Sequence, residues 1–309
     1  MQGIIAAVPT PTDAAGKPQC APFIEHCQWA MTNGCDGLNV LGSTGEANSF
    51  DKGTRADIMA WAVKAVDPVR LMVGTGTPSL AETISLTCHA DDLGFAAALV
   101  LPPYYYKPTS DDGLFRWYEA LHEALGTRPI KVYFYNYPQM TGIPLSHRLL
   151  ARLCATYPDR FAGIKDSSGD LEYCRELASK LPGFAVFPSS ETSLAEAGRS
   201  GFAGCISATV NHSSAVCAQI WKDRSDPDPA LIEKIAGLRA GLMSHPLIPS
   251  IKYMVARRTG NAIWHNAVPP FLPLDSAAKA ALDAIECAPT VDPASQADTN
   301  TISSKIEGS

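Results

Sequence analysis

The sequence predicts an α/β protein built as a (β/α)8 barrel, the TIM-barrel architecture, with a helical appendix at the C-terminal end. Three observations carry this expectation. Short apolar, β-rich runs recur eight times, roughly every 20 to 35 residues, with helical patterns between them. The runs read as strands buried on two faces, as in a parallel sheet with helices outside it. No G-x-G-x-x-G follows the first run, so the open doubly wound sheet, the alternative for this alternation, lacks its fingerprint. A chain of 309 residues would ordinarily suggest two domains, but α/β barrels reach this length as one.

The expected strands are Gly3–Val8, Gly37–Leu41, Arg70–Val73, Ala97–Leu101, Lys131–Tyr135, Phe161–Lys165, Phe184–Phe187 and Gly204–Ser207. The expected helices between and after them are Phe23–Met31, Asp51–Ala65, Ser79–Leu93, Asp111–Ala124, Leu145–Ala155, Leu171–Leu181, Thr192–Arg199 and Ser213–Trp221. A Pro/Asp break at Asp226–Pro229 ends the alternation. Helices near Ala230–Met243, Pro249–Thr259 and Ser276–Ile285 then follow. The expected organisation is a barrel over 1–222, a helical extension packed on it over 223–288, and a polar tail without periodicity over 289–309.

Composition excludes several classes. Hydrophobic residues make up 46% of the chain and charged residues 18%, which provides for a large core and argues against disorder. The longest apolar run, Phe95–Leu101, is far short of the roughly 18 residues of a membrane helix. The first nine residues have no basic flank, so no export signal is visible. A net charge of −6 and the lack of basic runs mixed with aromatics make nucleic acid an unexpected partner. The nine cysteines are odd in number and no two are spaced C-x-x-C, so neither a disulfide framework nor a zinc knuckle is expected. They read as small buried hydrophobes in a reducing, cytoplasmic compartment.

In a barrel the active site lies at the carboxyl ends of the strands. Those ends are rich in hydroxyls and poor in metal ligands: Gly42-Ser43-Thr44-Gly45-Glu46 after strand two, Tyr104-Tyr105-Tyr106 after strand four, Tyr135-Asn136 on strand five, Lys165-Asp166 on strand six, Ser189-Ser190-Glu191 after strand seven and Ser207 on strand eight. No metal is expected. Side chains alternate along a strand, so if Lys165 faces the barrel interior, Gly163 and Phe161 do too, and Tyr135 shares a face with Tyr133. Neighbouring strands lie about 4.8 Å apart, which lets Lys165 and Tyr135 meet. A half-buried lysine loses hydration, which favours a neutral amine able to attack a ketone, and a nearby phenol can carry the protons. Read alone, Lys165 is equally well a strand-end lysine in solvent, and Tyr135 a core aromatic. The Gly42–Gly45 turn could hold a carboxylate on its backbone N–H groups and hydroxyls, or be an ordinary turn.

Together, Gly42-Ser43-Thr44-Gly45-Glu46, Pro103-Tyr104-Tyr105, Tyr135-Asn136-Tyr137-Pro138, Thr141-Gly142 and Gly163-Ile164-Lys165-Asp166-Ser167-Ser168-Gly169-Asp170 resemble the N-acetylneuraminate lyase / dihydrodipicolinate synthase family of Schiff-base aldolases. The similarity runs from about Met1 to Ile285. It implies a catalytic set of Lys165, Tyr135, Thr44 and Tyr105. Lys165 forms the imine with a 2-oxo acid, pyruvate. Tyr135 relays protons, and Ser43 and Thr44 bind the pyruvate carboxylate and orient the tyrosine hydroxyl. It assigns Ser43, Thr44, Gly45, Tyr137, Ser167, Glu191 and Ser207 to substrate binding. Tyr105 matches a tyrosine that crosses into the partner's active site, with Tyr104 and Tyr106 anchored in their own subunit. The implied assembly is a homo-oligomer, a dimer or a dimer of dimers, hence a homotetramer. No cofactor is implied, because the lysine imine is the electron sink.

Within that family, Met140 stands where dihydrodipicolinate synthases carry an arginine, which implies little activity on aspartate semialdehyde. The acidic pair of the sialic acid lyases is here Ser190-Glu191, after Pro188 where a glycine is usual. The tyrosine-rich motifs resemble most the aldolases of 2-keto-3-deoxy sugar acids, so the implied substrates are pyruvate and an aldehyde. Dihydrodipicolinate synthase, N-acetylneuraminate lyase and a keto-deoxy sugar acid dehydratase are alternatives on the same chemistry. A non-catalytic barrel that binds a small ligand is the alternative of another class.

Overall fold

The structure is a computed structural model that describes residues 1–286; the tail expected at 289–309 lies outside the described residues. Its elements run β1 (Gly3–Ala7), α1 (Cys20–Thr32), β2 (Gly37–Val40), α2 (Lys52–Ala65), β3 (Leu71–Gly74), α3 (Leu80–Asp92), β4 (Ala97–Val100), α4 (Asp111–Leu125), β5 (Lys131–Asn136), α5 (Pro138–Thr141), α6 (His147–Thr156), β6 (Phe161–Asp166), α7 (Leu171–Lys180), β7 (Ala185–Pro188), α8 (Ala197–Ser200), β8 (Gly204–Ser207), α9 (Val210–Lys222), α10 (Pro229–Met243), α11 (Leu247–Thr259) and α12 (Ser276–Asp283). The strands pair in parallel in the order β7-β6-β5-β4-β3-β2-β1-β8, and β7 lies beside β8, so the ring is nearly closed. This is the (β/α)8 barrel with C-terminal helices that the alternation predicts.

Local chemistry sets the helix starts. The side chains of Asp51, Ser79, Ser110, Ser146, Asp170 and Asp275 each accept a hydrogen bond from a backbone N–H in the first turn of the helix that follows. These short polar side chains satisfy donors that the helix itself leaves unpaired.

Two departures from the expected pattern have physical causes. Thr192–Arg199 is not one helix: a 3-10 segment, Glu191–Glu196, precedes the single turn of α8. Glu191 with Leu194 and Ser193 with Glu196 are buried pairs three residues apart, and three residues per turn puts each pair on one side. Likewise, Phe161 does not share the face of Lys165. The β5–β6 register pairs Val132 with Phe161 but Tyr133 with Gly163, so Ala162 is an extra residue on β6. That bulge turns Phe161 outward against Phe134, with ring centroids 5.0 Å apart.

Elsewhere the period of two holds. Ile4 and Ala6 of β1, and Val132 and Phe134 of β5, belong to the core between barrel and helices. Ile5, Ala7, Tyr133, Tyr135, Phe187 and Ile206 fill the interior of the barrel. Gly163 is required there, since a Cβ would lie 2.5 Å from Cε1 of Tyr133. The C-terminal helices have a core of their own around Leu242, Ile251, Met254 and Leu282. Among the described residues no helix is long and apolar enough to cross a membrane.

Candidate active site

Lys165 and Tyr135 are register partners on β6 and β5 and only 4% and 3% exposed. Lys165 Nζ lies 3.4 Å from the Tyr135 hydroxyl and 4.5 Å from the centre of its ring. The Tyr135 hydroxyl is also 3.2 Å from Ser43 Oγ. An amine, a phenol and an alcohol thus form one line at the top of the barrel. A second network keeps the two strands in this register. Asn136 Nδ2 donates to Asp166 Oδ2 (2.6 Å), the Leu145 N–H donates to Asn136 Oδ1 (3.0 Å), and the Ser168 hydroxyl donates to Asp166 Oδ1 (2.6 Å). Burial pushes the Asp166 carboxyl up from its ordinary range, and the donors from Ser168 and Asn136 pull it back.

The loop after β2 is strained. Leu41 and Glu46 both have left-handed backbone, with φ of 53° and 56°. Residues with side chains enter that region at a cost of about 1–3 kcal/mol each, and such strain concentrates at functional loops. Inside the turn, the Gly45 N–H donates to the Gly42 carbonyl (3.0 Å) and the Glu46 N–H to the Ser43 carbonyl (3.1 Å). Among the described residues the N–H groups of Ser43 and Thr44 have no such acceptor, and both residues line the cavity above the barrel. Two free donors beside a hydroxyl can hold a carboxylate. Glu46 anchors this loop to the appendix. Its fully buried carboxylate pairs with the Lys252 ammonium of α11 and accepts the Val268 N–H (2.7 Å).

The cavity has a volume of about 310 Å³. Of the residues the sequence assigned to the site, Lys165, Tyr135, Ser43, Thr44, Tyr137, Ser167 and Ser207 line it. Tyr137 stacks on Tyr135 at 5.8 Å, and burial, then Tyr135, raises its hydroxyl pKa, so it remains a donor. Three assigned residues are elsewhere. Gly45 serves the turn, where a Cβ would lie 3.0 Å from the Leu41 nitrogen. Glu191 is fully buried and does not line the cavity. Its carboxylate accepts from Ser207 (2.8 Å), Thr209, Ser213 (3.4 Å) and Arg239 (3.0 Å). Tyr105 is 72% exposed and outside the cavity of its own chain. Tyr106 was expected to anchor in its own subunit, yet it is 78% exposed and meets Tyr105 edge-on at 5.2 Å.

The cavity also contains residues that the motifs did not indicate. Arg239 reaches in from α10, and Met243, Leu247, Ile248 and Phe271 of the C-terminal segment form an apolar wall with Met140. Nothing in the sequence near Arg239 marks it, because the appendix meets the barrel mouth only through packing. Ser189 lines the cavity as well, and its N–H donates to the Asp166 carbonyl (2.8 Å).

Residues 1–287 match the dihydrodipicolinate synthetase family. The chain is 29% identical over 289 residues to a 4-hydroxy-tetrahydrodipicolinate synthase of Rhizobium meliloti (strain 1021), covering 92% of this chain and 96% of that protein. Its structure is similar to the crystal structure of dihydrodipicolinate synthase from Agrobacterium tumefaciens str. C58, with a TM-score of 0.84, 28% identity, and 92% and 97% of the two chains covered. It is also similar to YagE, a prophage protein of the dihydrodipicolinic acid synthase family from E. coli K12, solved in complex with pyruvate. There the TM-score is 0.79, the identity 28%, and the coverage 91% and 96%.

Proposed function

The chain belongs to the dihydrodipicolinate synthetase family, whose members are pyruvate-dependent lyases, and from that premise we propose that it is an aldolase of 2-keto-3-deoxy sugar acids with Lys165 as its imine-forming residue. The observation that carries the reading is the buried Lys165 amine facing the Tyr135 hydroxyl at the floor of the cavity. In the condensing direction the Lys165 nitrogen adds to C2 of pyruvate. Tyr135 passes a proton to the oxygen, and water leaves to give the iminium. Loss of a C3 proton yields an enamine, whose C3 bonds to the aldehyde carbon while the aldehyde oxygen takes up a proton. Water then releases the keto acid and restores the amine. Cleavage is the same path reversed. The free N–H groups of Ser43 and Thr44 suit the pyruvate carboxylate, and the hydroxyls of Ser167, Ser189 and Ser207 suit the aldehyde fragment. Supplying a 2-keto-3-deoxy sugar acid and measuring pyruvate tests the reading directly. Loss of water without pyruvate release would instead make the protein a dehydratase.

Tyr135→Phe is expected to slow turnover about 10²-fold or more, the usual contribution of a positioned acid–base group. Its melting temperature should stay near that of the wild type, since only the hydroxyl is removed. Near-normal turnover would reduce Tyr135 to a packing role.

The proposal includes a homo-oligomer and a cytoplasmic home. Two adjacent exposed tyrosines favour an interface, where an aromatic body is buried and its hydroxyl finds a partner. The eight described cysteines are all free, which fits a reducing compartment. Sedimentation should give at least a dimer, and Tyr105→Phe should slow turnover without dissociating it. A fully active monomer would overturn this reading of Tyr105.

A further inference from the structure

We propose that Arg239 is the specificity-determining residue of the distal cavity and that it holds a second carboxylate, carried by the aldehyde fragment. The inference rests on the aldolase reading above and narrows its substrate class to 2-oxo-3-deoxy acids with a carboxylate at each end.

Arg239 and Lys165 are the only cations among the described residues that line the cavity, and no acid lines it. The lysine is assigned to pyruvate, which leaves the arginine for the other fragment. Its position is over-determined. Nη1 reaches Glu191 Oε2 (3.0 Å), Thr209 Oγ1 (3.0 Å) and Ser207 Oγ (3.2 Å). Those three groups also bind one another, since Ser207 and Thr209 donate to the Glu191 carboxylate. The fully buried Glu191 therefore acts as a clamp on one corner of the guanidinium, whose side chain keeps 21% exposure.

The other corner is unused. Nε and Nη2 have no acceptor among the described residues, although Arg239 faces the cavity. Their N–H bonds lie on one edge of the planar group and form a fork that matches the two oxygens of a carboxylate. A sugar hydroxyl would engage only one of the two donors. Neutralising Glu191 needs only a point charge, so that duty alone does not explain a fork left open toward the cavity. The apolar part of the lining, Met140, Met243, Leu247, Ile248 and Phe271, offers no polar side chain for a row of hydroxyls. Beyond what Ser167, Ser189 and Ser207 can bind, an acidic end is therefore the feature that Arg239 can recognise.

The test compares condensation of pyruvate with succinate semialdehyde and with 4-methylpentanal, its neutral isostere. Wild type should favour the acid in kcat/KM by about tenfold to a hundredfold, the scale of a hydrogen bond to a charged group. Arg239→Lys keeps the charge beside Glu191 but loses the fork, so the ratio should fall several-fold. Arg239→Met combined with Glu191→Gln removes both charges without stranding a buried carboxylate, and should bring the ratio near one. A wild-type ratio near one, or a ratio unchanged in both variants, overturns the proposal. Borohydride trapping of pyruvate, run in parallel, reports on the aldolase reading itself. If no adduct forms, that reading fails. Equilibrium binding of glutarate against butyrate then still decides the role of Arg239: the preference for the diacid should be present in wild type and lost in the double variant, and its persistence there overturns the proposal.

Discussion

Lys165→Arg is expected to abolish borohydride trapping of pyruvate and to lower turnover by about 10⁴-fold or more, the scale lost when a covalent nucleophile is removed. A guanidinium stays protonated, so arginine at this position cannot form the imine. In the wild type the reduced adduct should appear on one peptide. A modified Lys165 resists trypsin, so the label should travel on the fragment Phe161–Arg175, which contains the uncut lysine. Lys165 is buried beside Tyr135. Lys165→Ala is therefore the companion variant that avoids crowding by the larger guanidinium. Both should lose trapping and turnover together while retaining a cooperative melting transition. A label on another lysine, or turnover that survives Lys165→Ala, would remove the central step from the proposed mechanism.

The reach of the sequence can be judged from single residues. That Lys165 and Tyr135 can meet was legible because strands alternate with a period of two and neighbouring strands lie close, while their roles came from the family resemblance. The structure makes the two residues direct partners. The same rule misplaced Phe161, because one inserted residue, Ala162, reverses the faces and nothing in the local sequence announces a bulge. The loop Gly42–Glu46 was legible as a turn that could hold an anion. That Gly45 and Glu46 use their N–H groups within the turn follows from its closed geometry, which composition does not reveal. Glu191 was assigned to the substrate from its place after the seventh strand. Arg239 and three hydroxyls draw it away, and the arginine lies 48 residues further along the chain. Long-range partners of this kind belong to packing, and a single sequence carries no periodicity that joins them.

The largest expected effect on stability comes from another such partner. Lys252→Met should lower stability by about 3–5 kcal/mol, the cost of stripping one member from a buried ion pair. The Lys252 side chain is 1% exposed and the Glu46 side chain not at all, so water cannot take the place of the lost ammonium. Burial alone pushes the Lys252 ammonium down from its ordinary pKa, and Glu46 opposes that shift, so each charge depends on the other. Methionine nearly matches the lysine stem in shape, so the loss is one of charge rather than volume. The damage should also reach the chemistry. Glu46 ends the strained turn whose Ser43 and Thr44 N–H groups face the cavity, and it ties that turn to α11 and to Val268. With the clamp weakened, the left-handed backbone at Leu41 and Glu46 can relax and the two donors lose their aim. The expected result is a fall in melting temperature of roughly 10 °C, on the scaling for large domains, together with a raised KM for pyruvate. Adding Glu46→Gln removes the stranded charge, so the double variant should regain most of the melting temperature. It should not regain the KM, because an amide facing a methionine cannot hold the turn as the ion pair does. A lone Lys252→Met variant that melts with the wild type and binds pyruvate normally would show that Glu46 is held by Val268 and the turn itself, and that the ion pair contributes nothing to the loop.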